Sequence, residues 1–378
     1  MQRTTIHNAL SAAEHPILLT SEAQLRDAEA AWREAPVLGI DTEFVRERTY
    51  RAQLGLVQVS DGRRAWLYDP LAFDDPRPLA RLLEDKARLK VLHAGSEDLE
   101  VLLFSVSALP DPLVDTQIAC ALLGQPLQLA YHGAVKWLFE IEIEKDQTRS
   151  NWRRRPLNDR QLHYAAMDVV LLPEMYERLR AKLQGAGRWS WLEEDVQRSQ
   201  RNARAPVDPE TAYLRVAGAA RLDDDSLSCL QALADWRERV AAERDRARGF
   251  VISDAGLMQL AQERPANSRE LEAIEHLHPS ARKRYGSELL LLIDRAEKRQ
   301  RPVPRIDALT AAQQRAVKKM KELVARRARA LGVDAALLAS RKELEKLVRA
   351  TTAGEPPPER FLGWRKDVIT DELIGVIG

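Results

Sequence analysis

Two short acidic words and one helical pair carry the chemistry of this chain. In Gly39-Ile-Asp41-Thr-Glu43-Phe44 two carboxylates stand at i and i+2 after an apolar run. On a strand that spacing puts both on one face, where they can grip one cation together. The same Asp-x-Glu spelling recurs at Asp98-Glu100 and Asp208-Glu210, and a solvated turn after a strand would also produce it. Asp98 follows an apolar strand and a small-residue turn, Val91-Leu-His93-Ala-Gly-Ser-Glu-Asp98. Its plainer reading is a helix start in which Ser96 caps and Glu97 and Asp98 complement the positive end. Tyr164 and Asp168 stand at i and i+4, on one face of a predicted helix and within reach of a common ligand. A lone pair of this kind is commonly a surface hydrogen bond. Brought together, four carboxylates repel one another and resist shared ionisation unless cations neutralise them. An oxygen-only donor set without Cys or His suits Mg²⁺ or Mn²⁺ rather than Zn²⁺. Two such ions about 3.5–4 Å apart can activate a water and stabilise the leaving oxygen of a phosphodiester, and Tyr164 would then orient that water.

The elements that must position these groups are legible upstream of residue 200. Ile17-Leu-Leu-Thr20 reads as a strand, and Ser21-Glu-Ala-Gln24 as a capping box opening a helix. Val37–Ile40 is a short buried strand. Gly55–Ser60, the turn Asp61-Gly62 and Arg64–Tyr68 form a predicted hairpin. Leu89–His93 is a strand leading into a helix, and Val169–Leu172 is expected to face the core. Hairpins mixed with strand-helix units predict a mixed sheet covered by helices. Beyond about residue 200 the strand signals fade and Ala, Leu, Arg and Glu recur at helical spacing. Ser199–Glu210, with Ala205-Pro206 and Asp208-Pro209, reads as a linker because proline disfavours helix in the residue before it. Gln300–Pro304 marks a second break. Ser253 and Ser268 each precede a predicted helix, with Pro265 ending the first of the two. Thr310-Ala-Ala-Gln313 and Ser340-Arg-Lys-Glu343 are further capping boxes, and Glu355–Pro358 interrupts the last segment. The expected division is 1–205, 206–300 and 301–378.

A chain of 378 residues exceeds what one hydrophobic core usually serves. With 45% hydrophobic and 30% charged residues its composition is that of a water-soluble globular protein. No run approaches the roughly 18 apolar residues of a membrane span, and the N-terminus lacks the apolar core of a secretory signal, so a cytoplasmic protein is expected. Cys120 and Cys229 stand apart, outside any paired metal-ligand spacing, and read as buried small hydrophobes. The net charge of +1 says little over the whole chain, because nucleic-acid binding depends on local clustering. The densest basic run is Arg315–Lys321 with Arg326, Arg327 and Arg329, offset only by Glu322. It reads equally as a phosphate-tracking stripe or as a solvated helix face. Arg153-Arg-Arg155, near Tyr164, is the stronger candidate for guiding a 3′ end.

The ordered set Asp41-x-Glu43, Asp98 and Tyr164-x-x-x-Asp168 resembles the DEDD exonucleases with a tyrosine in the third motif. The words around it, His93-Ala-Gly-Ser-Glu-Asp98-Leu-Glu, Val114-Asp-Thr-Gln117, Trp152-Arg-Arg-Arg-Pro-Leu157 and Gln161-Leu-His-Tyr-Ala-Ala-Met-Asp168, resemble the bacterial ribonuclease D family. That resemblance implies an RNase H-like α/β domain, followed by two all-α modules of the helicase-and-ribonuclease-D C-terminal (HRDC) type, the last divergent. It implies that Asp41, Glu43 and Asp168 hold one metal ion, that Asp41 is shared with a second, and that Asp98 reaches the second largely through water. It further implies a 3′-terminal nucleotide seated near Thr42, Phe44 and His93, although an aromatic after a buried strand, such as Phe44, is as readily core. The activity implied is removal of nucleotides from RNA 3′ ends as 5′ monophosphates, with tRNA precursors as substrates; no obligate protein partner is evident from the sequence. Two other readings stand beside it. The acids cannot read a 2′-hydroxyl, so a DNA 3′→5′ exonuclease is possible by chemistry; a non-catalytic nucleic-acid-binding protein would keep the fold alone.

Overall fold

The computed structural model describes residues 2–143, 150–298, 303–305 and 308–377, and divides into two compact units. The first comprises Met1–Val45, Leu54–Arg204 and Leu309–Gly378; the second comprises Arg46–Gln53 and Ala205–Ala308. The predicted break at Gln300–Pro304 falls largely outside the described residues.

The first unit is built on a six-stranded mixed sheet in the order β1-β4-β3-β2-β5-β6. Its strands are β1 (Ile17–Leu19), β2 (Val37–Val45), β3 (Gln53–Ser60), β4 (Ala65–Tyr68), β5 (Leu89–Leu92) and β6 (Leu113–Asp115). β3 and β4 form the predicted antiparallel hairpin, whereas β1 lies parallel to β4, and β5 parallel to both β2 and β6. The helices are α1 (Gln2–Glu14), α2 (Glu22–Glu34), α3 (Arg77–Glu84), α4 (Ser96–Val106), α5 (Thr116–Leu122), α6 (Tyr131–Phe139), α7 (Asp159–Val170), α8 (Leu172–Gly185) and α9 (Trp189–Arg204). The Ser21 capping box opens α2 as the sequence predicts. β3 and β4 are buried along nearly their whole length, as expected of strands covered on both faces. α9 continues to Arg204, so the irregular connection starts only at Ala205, the residue before Pro206.

The second unit packs α10 (Asp224–Glu243), α11 (Arg248–Val251), α12 (Asp254–Glu263), α13 (Ser268–Glu272) and α14 (Pro279–Glu297) around a separate core centred on Leu230, Leu233, Leu257, Leu260 and Leu289. Ser253 caps α12, while Asn267 rather than Ser268 caps α13, its side chain accepting from the Glu270 amide. The segment between β2 and β3 belongs to this unit. Tyr50 donates its hydroxyl to Glu238, Arg248 pairs with the same carboxylate, and the Ala247 amide bonds the Arg48 carbonyl.

The C-terminal segment contributes α15 (Ala311–Leu331), α16 (Ala335–Leu338) and α17 (Arg341–Thr352), with both predicted capping boxes in place. The apolar side chains of α15, Val317, Met320, Val324 and Ala328, join the core of the first unit. Two polar anchors accompany them. Arg365, 1% exposed, forks onto both oxygens of Asp195, with Trp364 stacked on Trp191 at 4.3 Å. Arg188 bridges the Leu122 and Leu331 carbonyls at 2.5 Å each. Cys120 and Cys229 are buried free thiols, and no helix among the described residues is long and apolar enough to cross a membrane.

Candidate active site

Asp41 and Glu43 emerge from the second half of β2, and Asp168 from the last turn of α7. Gly39 makes their meeting possible: a Cβ there would lie 2.6 Å from the Val169 carbonyl oxygen and 2.9 Å from the Leu172 Cβ. Only a bare Cα lets α7 and α8 lie so close to the strand. α7 itself starts with a capping box, Asn158 with Gln161, and buries Ala165, Ala166, Val169 and Val170 at full depth. That burial fixes its rotation and turns the Tyr164–Asp168 face toward β2. In consequence one carboxylate oxygen each from Asp41, Glu43 and Asp168 lies within 4.8 Å of the other two.

Asp98 enters from the first turn of α4, buried to 7% exposure, and the Thr42 hydroxyl donates to its Oδ1. Ser96 does not cap this helix. Gly95 occupies the cap without a side-chain bond, and the amides of Ala94 and Gly95 bond Asp115 at 3.2 and 2.9 Å. Asp115 also accepts from the Gln117 and Ile118 amides, so one buried carboxylate pins the turn before Asp98 and caps α5. This role was hidden in the sequence, where Asp115 is one acid among 57 Asp and Glu. Its signal, an Asp one residue before a helix, is the ordinary capping pattern.

The electrostatics follow from crowding. Burial and then repulsion from Asp98, Asp168 and Glu43 hold Asp41 well above the usual carboxylate range. Burial, followed by Asp168 and Asp98, pushes Glu43 up to about 8. Burial raises Asp168 to about 7 against a hydrogen bond from Tyr164, and Asp98 to about 6 against the bond from Thr42. Burial and the acids together drive the Tyr164 phenol far upward, so its hydroxyl stays protonated and donates to Asp168. Asp41, Glu43 and Asp168, three hard oxygen donors that cannot share ionisation while unneutralised, form a site matched to a divalent cation, while Asp98 stands outside this group but near enough to raise Asp41.

The remaining expected contacts divide by environment. Phe44 belongs to neither core and stays half-buried next to Glu43. His93 has both ring nitrogens engaged at 2.8 Å, with Leu129 O and Thr116 Oγ1, and burial lowers its pKa. Only its ring face is left for contact. Arg153 and Arg155, expected to guide a 3′ end, turn inward. Arg153 bonds Leu54 O, while Arg155 forks onto both Asp69 oxygens at 2.6 Å and bonds the Gly55 and Trp152 carbonyls. The buried carboxylate and sheet carbonyls offer the guanidinium more partners than solvent-facing geometry would. Trp152, held against Gly55, brings its ring to 6.1 Å from that of Tyr164. Tyr131, also missed in the sequence, donates to Met167 O next to Asp168. A cleft of about 630 Å³ opens on Tyr164 and Asp168, walled by Leu10, Ile141, Ile143 and Met167.

A mixed sheet with helices packed on it, carrying acids at the ends of β2 and α7 and at the start of α4, defines a 3′→5′ exonuclease domain; residues 16–184 match the family model described as 3′-5′ exonuclease. Residues 226–293 match the HRDC domain, and residues 313–373 the ribonuclease D C-terminal HRDC domain. The chain is 38% identical to ribonuclease D of Pseudomonas paraeruginosa over 364 residues, 95% of this chain and 96% of that one. Against ribonuclease D of Escherichia coli it is 35% identical over 366 residues, 94% and 96% of the two chains. The crystal structure of E. coli RNase D, described as an exoribonuclease involved in structured RNA processing, superposes with a TM-score of 0.88 over 96% of this chain and 98% of that one. The chain therefore belongs to the ribonuclease D family and is a 3′→5′ exoribonuclease.

Proposed function

We propose that this enzyme trims the 3′ ends of tRNA precursors one nucleotide at a time, releasing 5′ monophosphates at the five-residue site Asp41, Glu43, Asp98, Tyr164 and Asp168. The observation that supports it is the convergence of Asp41, Glu43 and Asp168 within 4.8 Å, with Tyr164 hydrogen-bonded to Asp168. Asp41, Glu43 and Asp168 would hold one divalent ion, Mg²⁺ or Mn²⁺, and Asp41 with Asp98 a second. Bound there, the pair would supply a nucleophile at neutral pH and charge stabilisation for the departing 3′ oxygen.

The chain's own residues do the rest. Tyr164 remains a phenol at neutral pH, so it serves to orient a water through its free lone pairs rather than to accept a proton. Asp168 fixes that hydroxyl by accepting its hydrogen. Thr42 holds Asp98 in one rotamer, and Asp115 holds the turn from which Asp98 projects. Phe44 and the face of His93 form a seat for the terminal base by stacking, a contact available to every base. Arg155 and Arg153 act one step back, clamping the segment around Trp152 to β3 and so bracing Tyr164.

Purified enzyme incubated with Mg²⁺ or Mn²⁺ and 5′-labelled tRNA carrying a 3′ extension is expected to shorten it stepwise. EDTA should stop the reaction, and Asp41→Asn should abolish cleavage while RNA binding persists. Unaltered digestion by that variant refutes the site, and a matched DNA strand digested at equal rate refutes the preference for RNA.

A further inference from the structure

α15 carries two opposed faces. Val317, Met320, Val324 and Ala328 are buried at i, i+3, i+7 and i+11, which fixes the rotation of the helix against the first unit. On the opposite side Arg315, Lys318, Lys319, Arg326 and Arg329 are exposed, interrupted only by Glu322. At 100° per residue these five cations fall within about 60° of a single line, directly across from the buried stripe. None of the five forms an ion pair among the described residues, whereas their neighbour Arg327, off that line, is paired with Glu372. Elsewhere on the surface Arg239 holds Asp235 and Arg341 holds Glu345 along their own helices. The stripe is thus a row of five cations with a single acid, Glu322, on the same face.

The row is also held firmly to the catalytic body. The C-terminal end of α15 is anchored by Arg188, which reaches Leu331 O and Leu122 O together, and a Cβ on Gly124 would lie 2.3 Å from Gly332 O. From Arg315 to Arg329 the helix rises about 21 Å, the length of about six stacked phosphates at roughly 3.4 Å per nucleotide of one strand. None of its cations lines the cleft at Tyr164 and Asp168.

We propose that this face of α15 is a second RNA-binding surface, which tracks the phosphate backbone of the substrate upstream of its 3′ end. The proposal rests on the reading of the carboxylate site as one that takes RNA. It makes affinity for long substrates dependent on the helix while leaving the chemistry of short ones untouched.

The test compares the wild type with the quadruple variant Lys318→Gln, Lys319→Gln, Arg326→Gln, Arg329→Gln, whose changes are all solvent-facing. KM and kcat are measured across a salt series for an RNA pentanucleotide and for an RNA of about 30 nucleotides ending in a single strand. The expected result is a slope of log KM against log salt that falls by about 3 for the long RNA, at about 0.7 per lost phosphate contact. Pentanucleotide kcat/KM should be unchanged. An unchanged slope on the long RNA overturns the proposal, as does an equal loss on both substrates. Loss of binding to phosphatidylserine vesicles with the RNA slope intact assigns the face to lipid and likewise overturns it. Failure of the wild type to cut the pentanucleotide at all refutes the site reading instead.

Discussion

The acid cluster that would hold the metal ions is a burden on the metal-free protein, and Glu43→Gln measures it. Glu43 titrates near 8 in the folded chain against an ordinary 4.5, because burial and its acidic neighbours disfavour the charge. A carboxyl whose folded pKa is raised costs nothing below the unfolded value. The cost grows by about 1.4 kcal/mol per pH unit between the two values and is constant above the folded one. At pH 7 the interval is 2.5 units, or about 3 kcal/mol of lost stability. An amide of the same shape carries no such penalty and can donate to a neighbouring carboxylate. In EDTA at pH 7, urea unfolding followed by tryptophan fluorescence should therefore show the variant more stable by about 2–3 kcal/mol in the transition of the sheet-containing unit. The difference should shrink toward zero as the pH falls to 4. Adding Mg²⁺ should stabilise the wild type, since a ligand bound only by the folded state adds stability, and should do little for the variant. A variant no more stable than wild type in EDTA at pH 7, or a gain that persists undiminished at pH 4, refutes the account of these acids as one desolvated cluster.

Tyr164→Phe removes the hydroxyl but keeps the ring beside Trp152, so kcat should fall by about 10²-fold or more with little change in Mg²⁺-dependent thermal stabilisation, a split readable by single-turnover kinetics and a melting series. Gly39→Ala places a methyl group 2.6 Å from Val169 O, which forces α7 away from β2; overpacking of this kind costs about 1–3 kcal/mol, and activity should fall more than stability because Asp168 moves with the helix. Wild-type turnover by Gly39→Ala would show that the close approach is not what assembles the site. Arg365→Met strands Asp195 with Arg198 and the Trp364 indole, and the loss should be about 3 kcal/mol by denaturant titration. Its pH dependence has the opposite sign to that of Glu43. Despite burial, Arg365 and Arg198 hold the Asp195 carboxyl below its ordinary value, so the stability it contributes is present above about pH 4 and fades as the pH falls through the lower folded value. A wild type and variant with identical acid-unfolding curves would refute the pairing.

Much of the fold could be read from one dimension. The capping boxes at Ser21, Thr310 and Ser340, the hairpin around Asp61-Gly62 and the strand before His93 depend on contacts within a few residues, so their letters suffice. The same holds where local rules nearly succeed: Asn267 took the cap predicted one residue later, and α9 outran the linker until the residue before Pro206 stopped it. The acids were legible for another reason. Their chemistry needs carboxylates at fixed spacings on a strand and on helix turns, and those spacings survive in the sequence even though Asp41 and Asp168 are 127 positions apart.

What the tertiary structure decided is partnership across that distance. The letters Arg153-Arg-Arg155 offer charge, but only the folded chain sets the buried Asp69 carboxylate and the Leu54 and Gly55 carbonyls within reach, turning expected substrate contacts into a clamp. The periodicity of α15 shows that it has an apolar face but not what covers it; its partner is the core of the first unit, fixed by Arg365–Asp195 and Arg188, so the predicted third segment shares a compact unit with the sheet. Gly39 looks like any strand glycine until the Val169 carbonyl arrives 130 residues later. Spacing fixes which groups can act together within an element; which groups do act together across elements is set by packing, because burial and the satisfaction of buried polar atoms are properties of the assembled whole.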